Sequence, residues 1–284
     1  MPFVTLREVL AEAERGGYAV GAFNTNNMEI VQAIVEAAEE EQAPVILQAS
    51  QGALKYAGIR YITAMVRAAV ETASVPIVLH LDHGTSFEQT MLCLKHGFTS
   101  VMFDGSKYDL DENIAATRKV VDVAHAMGAS VEGELGKIGG TEDDITVDER
   151  DALFTDPDEA ERFVTEARVD ALAVAIGTAH GTYKGEPKLD FARLEIINGR
   201  VETPIVLHGA SGVPADSVRK SIALGVRKIN IDTELRQAFT RGVQNVVNNK
   251  PGEYDPRKIL GPAKEEMKAV IKEKMRLFGC SGKA

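Results

Sequence analysis

The sequence predicts an α/β fold, a single (β/α)8 TIM barrel with an extra C-terminal helical extension, from three observations. Short runs rich in Ala, Val, Ile and Leu recur along the chain, as expected of strands buried on both faces. Segments of helix length and helical apolar period separate them, which favours repeated right-handed βαβ crossovers. The length of 284 residues suits one barrel domain, so we expect a single domain over residues 1–284.

Eight apolar runs are assigned as strands because they have strand length and are bounded by turn residues. Proline opens three of them, at Pro44, Pro76 and Pro204, where a missing backbone N–H costs least. The predicted strands are Tyr18–Asn24, Pro44–Ser50, Pro76–His83, Ser100–Gly105, Ser130–Gly136, Ala171–Gly177, Pro204–Gly209 and Lys228–Thr233.

Helical patterns connect these strands, as at Met28–Gln42 and Asp216–Leu224. After the eighth strand the sequence predicts a helix, then a stretch punctuated by Pro and Gly (NNKPGEYDPRKILGP), then a charged helix at Ala263–Phe278. This tail, residues 250–284, is extra to the barrel. Two placements of the tail remain open, on a neighbouring subunit or over the barrel's own helices.

Composition excludes several classes of protein. The formal net charge is −10, from 42 acidic and 32 basic residues, so we expect neither nucleic acid nor a membrane surface as a partner. The first 20 residues mix charge into a helical apolar period, unlike a signal peptide or a membrane span. Cys93 and Cys280 are too few for a disulfide framework or a zinc ribbon. We therefore expect a cytoplasmic protein with reduced thiols.

Polar side chains concentrate at the carboxyl ends of the predicted strands, where barrels of this type carry their chemistry. In strand order these residues are Asn24, Ser50, Asp82 with His83, Asp104, Glu134, His180, His208, and Asp232 with Thr233. We expect Asn24 and Ser50, on the first two strands, to contact a substrate held at this end of the barrel.

Three of these strand-end residues are histidines, His83, His180 and His208. Imidazole nitrogen is a good zinc ligand, and three protein ligands leave one coordination position open for a substrate. The sequence therefore predicts a divalent metal site in the mouth. Three further histidines are interpreted as structural, one inside the third strand and two on helices: His80, His96 and His125.

The end of the third strand poses a geometric problem, because two-residue alternation puts Asp82 and His83 on opposite faces. The strand must bend or end there for both side chains to face the mouth. We expect Gly84 to permit that bend.

Two glycine-bearing or polar turns follow the seventh and eighth strands, where barrels commonly bind phosphate. They are HGASG (His208–Gly212) and NIDT (Asn230–Thr233). Small residues let backbone N–H groups approach phosphate oxygens, and the next helix N-terminus adds favourable partial charge. Lys184, in HGTYKGEP, is either a source of positive charge for this site or an exposed lysine.

At these residues the chain resembles the class II fructose-bisphosphate and tagatose-bisphosphate aldolases, over essentially its whole length. The motifs that carry the resemblance are LHLDHG, SVMFDGS, GELGKIGGTEDD, AVAIGTAHGTYKG, VLHGASG and KINIDTEL, in that order. The resemblance implies a zinc-dependent lyase of glycolysis and gluconeogenesis. Such an enzyme reversibly cleaves a ketose 1,6-bisphosphate into glycerone phosphate and glyceraldehyde 3-phosphate.

The resemblance also implies roles for individual residues. The three histidines of the mouth would hold the catalytic Zn²⁺, and Asp82 would donate the proton to the aldehyde-derived oxygen. Asp104 and Glu134 correspond to the acids of a second or alternative divalent metal position. Glu142, in GGTEDD, matches the acid that moves the proton on glycerone phosphate. The alternative interpretations are that Asp104 and Glu134 form ion pairs at the end of the barrel, and that the acids of TEDD lie in a solvated loop.

Further matches concern the substrate's phosphates and the assembly. The glycerone phosphate site, which in this family is often helped by Na⁺ or K⁺, corresponds to Gly181, Gly209, Ala210, Ser211, Asn230, Ile231, Asp232 and Thr233. Arg257, in YDPR, resembles a residue that reaches the other phosphate from a neighbouring subunit. The resemblance thus implies a homo-oligomer, with dimer and tetramer both open.

The chain departs from the family pattern at three positions. Gly105 and Gly133 stand where the family often has alanine, and Phe103 stands where it often has isoleucine. We expect these changes to leave the metal ligands intact and to loosen the mouth. Fructose bisphosphate is the favoured substrate because YDPRKILGP resembles that branch, whereas AVAIGTAH and HGASGV also fit the tagatose branch.

Two alternatives to a zinc-dependent aldolase are a Schiff-base aldolase and a non-catalytic sugar-phosphate binder. A Schiff-base aldolase needs a desolvated lysine in the barrel, but no predicted strand ends in one, and Lys228 is expected to open the eighth strand at the opposite side. A non-catalytic sugar-phosphate binder with a structural metal would normally close its zinc site with four ligands, often cysteines. No cysteine lies near these histidines in the sequence.

Overall fold

The computed structural model of the chain describes residues 3–142, 145–147, 153–183 and 185–284. Eight parallel strands close into one barrel, which confirms the predicted fold class. No helix in these ranges is long and apolar enough to cross a membrane.

At least one helix separates each pair of consecutive barrel strands, as the apolar pattern predicts. The strands are β1 (Val20–Asn24), β2 (Val45–Ser50), β3 (Ile77–Gly84), β4 (Ser100–Phe103), β5 (Ser130–Leu135), β6 (Gly139–Glu142), β7 (Ile145–Val147), β8 (Ala171–Val174), β9 (Ala179–His180), β10 (Ile205–Leu207) and β11 (Val226–Ile231). The helices are α1 (Leu6–Gly16), α2 (Met28–Glu41), α3 (Gln51–Ala57), α4 (Ile59–Thr72), α5 (Phe87–Lys95), α6 (Leu110–Ala126), α7 (Pro157–Ala167), α8 (Phe191–Asn198), α9 (Ala215–Ala223), α10 (Thr233–Asn249) and α11 (Pro256–Phe278).

The barrel strands run in the order β1, β2, β3, β4, β5, β8, β10, β11, and β11 pairs with β1 to close the ring. Most of their side chains are fully buried, inside the barrel or under the helices. Parallel pairing sets all the carboxyl ends at one mouth, and in-register pairs such as Asn24 with Gln48 and Ser50 with Asp82 bring polar residues together there. The strand register therefore places these polar side chains side by side at the mouth.

A second, three-stranded sheet in the order β7, β6, β9 was not expected from the sequence. In β9, Ala179 and His180 pair in parallel with Gly139 and Gly140 of β6. Gly140 has φ 97°, and a Cβ there would collide with the carbonyl oxygen of His180. Glycine is thus required where the two backbones meet.

The C-terminal extension begins earlier than expected, because α11 starts at Pro256 rather than at Ala263. The Asp255 side chain accepts a hydrogen bond from the Arg257 N–H, and proline is tolerated at the first helical position. Pro262 lies inside the helix. The Pro and Gly residues of this stretch predicted a loop up to Pro262, but the structure has a helix from Pro256.

The C-terminal helix α11 packs on α10 and α2 of the same chain. Gly242 of α10 and Ala263 of α11 touch so closely that a Cβ at Gly242 would lie 2.5 Å from the Ala263 Cα. Acidic residues of α2 face basic residues of α11 in a ladder of ion pairs: Glu36, Glu40 and Glu41 with Lys264, Lys268, Lys272 and Arg276. Of the two placements considered, the tail covers the barrel's own helices.

Candidate metal and substrate site

The three predicted histidine ligands meet at the barrel mouth. His83 lies in β3, His180 in β9, and His208 directly follows β10. Each offers one ring nitrogen, and these atoms lie within 4.8 Å of one another. The Nε2 atom of His83 is 3.1 Å from the Nδ1 atom of His208. As expected, His180 follows the sixth strand of the barrel, which is β8. It lies in the short strand β9, whose pairing with β6 holds it in the mouth.

The bend that brings Asp82 and His83 to the same mouth lies at His83 itself. His83 has φ 49°, a left-handed conformation that is rare for residues other than glycine. The β3–β4 register shifts between Leu81 and Gly84, as in a β-bulge. Gly84 is needed for a different reason than expected, since a Cβ there would lie 2.6 Å from the Met102 carbonyl oxygen.

The outer nitrogen of His83 faces two carboxylates. Nδ1 lies 3.3 Å from Asp104 Oδ2 and 3.8 Å from Glu134 Oε2. Burial alone would raise the pKa of Asp104, but hydrogen bonds with His83 and Ser106 outweigh it and lower that pKa. Burial, with the nearby charge of Asp104, raises the pKa of Glu134 well above its usual range. The same three residues form a second group that could hold a metal ion, at the acids expected for a second metal.

The donor set fits a divalent cation. Three imidazoles from separate elements converge, as in catalytic zinc sites that keep a position open for substrate. Four carboxylic acids, none more than 8% exposed, line the barrel interior close to them: Asp82, Asp104, Glu132 and Glu134. Buried carboxylates are costly unless they are paired or coordinate metals. Glu132 is paired with Lys228, whereas Asp104 and Glu134 share the single imidazole of His83, which favours a bound cation there.

Asp82 is fully buried and held by three amide side chains. Its Oδ2 accepts hydrogen bonds from Asn24 Nδ2 and Gln48 Nε2, both at 3.0 Å, and its Oδ1 accepts one from Asn230 Nδ2 at 3.3 Å. Gln48 is a site residue that was not predicted from the sequence. The available signal was a polar side chain inside VILQAS, a run otherwise typical of a strand buried on both faces.

Two further polar residues in the barrel interior were misassigned or missed, Lys228 and Glu132. Lys228 is not at the opposite side of the barrel but fully buried inside it, because β11 begins two residues earlier than expected, at Val226. Its Nζ lies 2.8 Å from Glu132 Oε2. His80, taken as structural, is also buried, with Nδ1 2.8 Å from Ser100 Oγ. Charged residues within buried strands were the signal that could have found Glu132 and Lys228.

These neighbours set the charge states of the interior. Burial would raise the pKa of Glu132, but the positive charge of Lys228 and a hydrogen bond from His208 lower it overall. Burial and the Lys228 charge hold the pKa of His80 well below its usual range. Glu132 is therefore a carboxylate and His80 a neutral imidazole at neutral pH.

A cavity of about 500 Å³ opens between the loops after β9, β10 and β11, the last two of which are the loops where the sequence predicts phosphate binding. Its walls include His180, Gly181, Gly209, Ser211, Asn230, Asp232 and Thr233, together with Arg236, Gln237, Thr240, Arg241 and Gln244 of α10. The arginines provide positive charge that the sequence analysis sought only at Lys184, which lies outside the described residues. Arg236 forms an ion pair with Asp232 at 2.8 Å.

Four other predicted site residues do not line this cavity: Ala210, Ile231, Ser50 and Arg257. Ala210 and Ile231 are buried, each 1% exposed, so their side chains do not line the cavity. The Ser50 hydroxyl caps α3 by accepting from the Ala53 N–H. Arg257 is exposed on α11, paired with Asp255, and away from the cavity. Glu142 ends β6, and its side chain lies outside the described part of the chain.

The departures at Gly105 and Gly133 do not loosen the mouth. A Cβ at Gly133 would lie 2.8 Å from the Phe163 ring, and one at Gly105 would collide with the Asn113 side chain. Asn113 in turn donates to the Glu134 carbonyl oxygen at 2.9 Å. Neighbouring side chains therefore fill the space that alanine methyl groups would occupy.

Comparisons with known proteins bear on the family of the chain. The family model "Fructose-bisphosphate aldolase class-II" matches residues 4–283. The fructose-bisphosphate aldolase of Thermus caldophilus is 49% identical, over 99% of both chains, and that of Geobacillus stearothermophilus is 48% identical, over 100% of this chain and 99% of its own. The crystal structure of the YdjI aldolase from Escherichia coli K12 superposes with a TM-score of 0.88, at 33% identity and 99% coverage of both chains. The resemblance inferred from the motifs is confirmed, and the chain belongs to the class-II fructose-bisphosphate aldolase family.

Proposed function

We propose that the protein is a zinc-dependent fructose 1,6-bisphosphate aldolase, with Zn²⁺ held by His83, His180 and His208. The observation that carries the proposal is the convergence of these three imidazoles beside the buried carboxylate of Asp82. The names of the full-length relatives support the substrate. Tagatose 1,6-bisphosphate is the alternative substrate, because the two sugars differ only at C4.

The chemistry needs an acceptor for the negative charge left on the ketone fragment when the C3–C4 bond breaks. Bound at the histidines, zinc would supply Lewis-acid stabilisation of that charge. Asp82 would take the C4 hydroxyl proton during cleavage and return it during condensation. Asn24, Gln48 and Asn230 orient its carboxylate for this transfer.

Binding of the glycerone phosphate group is assigned to the cavity beside His180. Backbone N–H groups near Gly209 and Ser211 and the N-terminus of α10 favour an anion there. Anchoring the phosphate converts remote binding energy into alignment of the reacting carbons. Tyr183 stabilises this wall, because its hydroxyl accepts from the Ala179 N–H and donates to the Gly209 carbonyl, both at 2.7 Å.

The remaining roles are proposed from the family resemblance. Glu142 would exchange the proton at C3 of glycerone phosphate. His83, Asp104 and Glu134 would form a second divalent position, and Na⁺ or K⁺ would assist the phosphate site. Lys184 would add positive charge there. Arg257 would reach the active site of a neighbouring subunit in a homodimer or homotetramer, consistent with its exposure outside its own cavity.

The test is a coupled cleavage assay on both bisphosphates, with metal content measured on the same samples. We expect turnover on fructose 1,6-bisphosphate to exceed that on tagatose 1,6-bisphosphate. His208→Ala should lose zinc and turnover together, because one of the three ligands is missing. Wild-type zinc content and turnover in this variant would refute the ligand assignment, and faster turnover of tagatose bisphosphate would refute the substrate.

A further inference from the structure

Glu132 lies in the barrel interior between a metal-ligand candidate and a lysine, and all three side chains are fully buried. One carboxylate oxygen, Oε1, accepts from His208 Nε2 at 2.8 Å. The other, Oε2, is 2.8 Å from Lys228 Nζ. We propose that Glu132 and Lys228 are positioning residues that fix the tautomer and orientation of His208, so that its Nδ1 faces the metal. This inference rests on the proposed zinc site.

The tautomer follows from the contacts of the two ring nitrogens. A neutral imidazole carries its proton on one nitrogen only, and the other nitrogen can bind a metal. Because Glu132 offers only acceptors, it holds the proton on Nε2. The lone pair is then on Nδ1, which lies 3.1 Å from His83 Nε2 and therefore at the site where the three histidines meet.

Lys228 makes a buried carboxylate sustainable at this place. An isolated ionised carboxyl is very costly in a protein interior, and a close ammonium offsets much of that cost. The two residues come from β5 and β11, which are not neighbours in the barrel, so they meet across its interior. His80 Nε2, at 3.6 Å from Glu132 Oε2, completes the surroundings of that oxygen.

The arrangement suits orientation of a metal ligand better than simple packing. Outer carboxylates that accept from metal-bound histidines fix ring orientation and raise ligand basicity. His83 has a comparable but looser arrangement, with its Nδ1 3.3 Å from Asp104. His208 therefore has the shorter and charge-compensated contact.

The first experiment measures zinc dissociation constants by competition with a chromophoric chelator, for the full-length protein. Glu132→Gln should weaken zinc binding about 10- to 100-fold, as removal of such outer partners typically does. Lys228→Met should weaken it in the same direction, and the double variant should match Glu132→Gln alone, because Lys228 acts through Glu132. The Co²⁺-substituted variants should show altered visible absorption bands.

The matched control is Arg227→Met. It removes a largely buried cation from the same strand. Arg227, however, forms its ion pair with Glu14 of α1 and not with Glu132. Its zinc affinity should equal that of the wild type. A zinc dissociation constant for Glu132→Gln within twofold of wild type would overturn the inference. The same result for Lys228→Met would overturn the positioning role proposed for Lys228. A wild-type protein that fails to bind zinc would instead refute the proposed metal centre.

A second measurement keeps the inference testable if these variants do not fold. Imidazole ¹⁵N spectra of the zinc-free wild-type protein, assigned with His208→Asn, should show His208 protonated at Nε2 and not at Nδ1. After zinc addition, the Nδ1 signal should shift while Nε2 stays protonated. Protonation at Nδ1 in the zinc-free protein would overturn the inference directly.

Discussion

At the residue scale, the left-handed backbone of His83 turns two consecutive strand residues toward one site. A residue other than glycine at positive φ costs free energy, and such strain is often retained at functional sites. Strand alternation predicts the conflict between Asp82 and His83, but the bend was expected at Gly84 and lies at His83. Local sequence does not show that Gly84 lies against the Met102 carbonyl of β4, a tertiary contact, while His83 carries the left-handed backbone.

Asp82→Asn tests the proton transfer at this residue. The amide cannot take the C4 hydroxyl proton, so kcat for cleavage should fall about 100- to 10,000-fold. Exchange of the C3 proton on glycerone phosphate alone should persist near the wild-type rate, since it is assigned to Glu142. Asp122→Asn, an exposed change on α6, is the control. A parallel loss of cleavage and exchange would contradict the role of Asp82.

At the element scale, the small sheet of β6, β7 and β9 supplies what the barrel strands do not, the position of His180. The barrel itself could be predicted because each strand carries its own apolar signal. The small sheet could not, because GGTE and AH have no apolar alternation and pair only after the chain has folded. The start of α11 was missed for a related reason. Pro256 and Pro262 are typical of a loop, and the hydrogen bond from the Arg257 N–H to Asp255 that caps the helix is seen only in the structure.

Gly140→Ala tests the importance of this pairing for the metal site. The new methyl group would collide with the His180 carbonyl, so β9 must shift and zinc affinity should fall at least about 10-fold, the low end of the effects seen when ligand orientation is disturbed. Gly128→Ala is the matched control: Gly128 also has positive φ, 76°, but nothing lies within 4 Å of its added Cβ. That variant should lose about 1 kcal/mol of stability and no zinc affinity. Equal zinc affinities in the two variants would argue against the pairing's role.

The ion pairs between α2 and α11 should contribute stability in a pH-dependent way. Hydrogen bonds from Arg276, opposed by burial, lower the pKa of Glu41. A lowered folded-state pKa contributes stability that is present above the unfolded value and is lost as pH falls through the folded one. Glu41→Gln should therefore lose about 1 kcal/mol of stability at pH 7, allowing for the exposure of Arg276. This loss should shrink as pH falls below the unfolded-state pKa of about 4.3 and vanish below the lowered folded-state pKa.

Thermal or urea unfolding of wild type and Glu41→Gln at pH 7 and at several pH values below 4 measures this difference. Glu273→Gln, a change at an exposed residue of α11, provides the comparison and should behave as the wild type at all of these pH values. A stability loss in Glu41→Gln that is independent of pH would show that packing, not charge, accounts for it.

At the scale of the whole molecule, the sequence predicted the barrel, the three histidines and Asp82, because strand order and strand ends are encoded locally. It did not predict the contacts across the interior. Glu132 and Lys228 lie on strands that are not neighbours, and their pairing exists only in the closed barrel. Arg236 and Arg241 were likewise missed, since which face of α10 lines the cavity depends on how the helix docks.

Removal of zinc should destabilise the whole fold, because a ligand that binds only the native state stabilises it by mass action. At a free zinc concentration 100 times its dissociation constant, this stabilisation is about 2.7 kcal/mol. Thermal unfolding with and without chelator should therefore show a higher midpoint in zinc, rising further with zinc concentration. His208→Ala should lack most of this dependence. A wild-type midpoint that ignores zinc would mean that the ion does not bind the native protein.

The pairing of β1 with β11 has a consequence for how the chain reaches its native state. The first strand has one hydrogen-bonding edge satisfied by β2 early in synthesis, but its other edge waits for the last barrel strand, as in Val20 with Lys228. Until the ribosome has released that distant segment, a nascent barrel exposes an unpaired strand edge, a known starting point for aggregation. Productive folding during translation therefore has to protect this edge until β11 arrives.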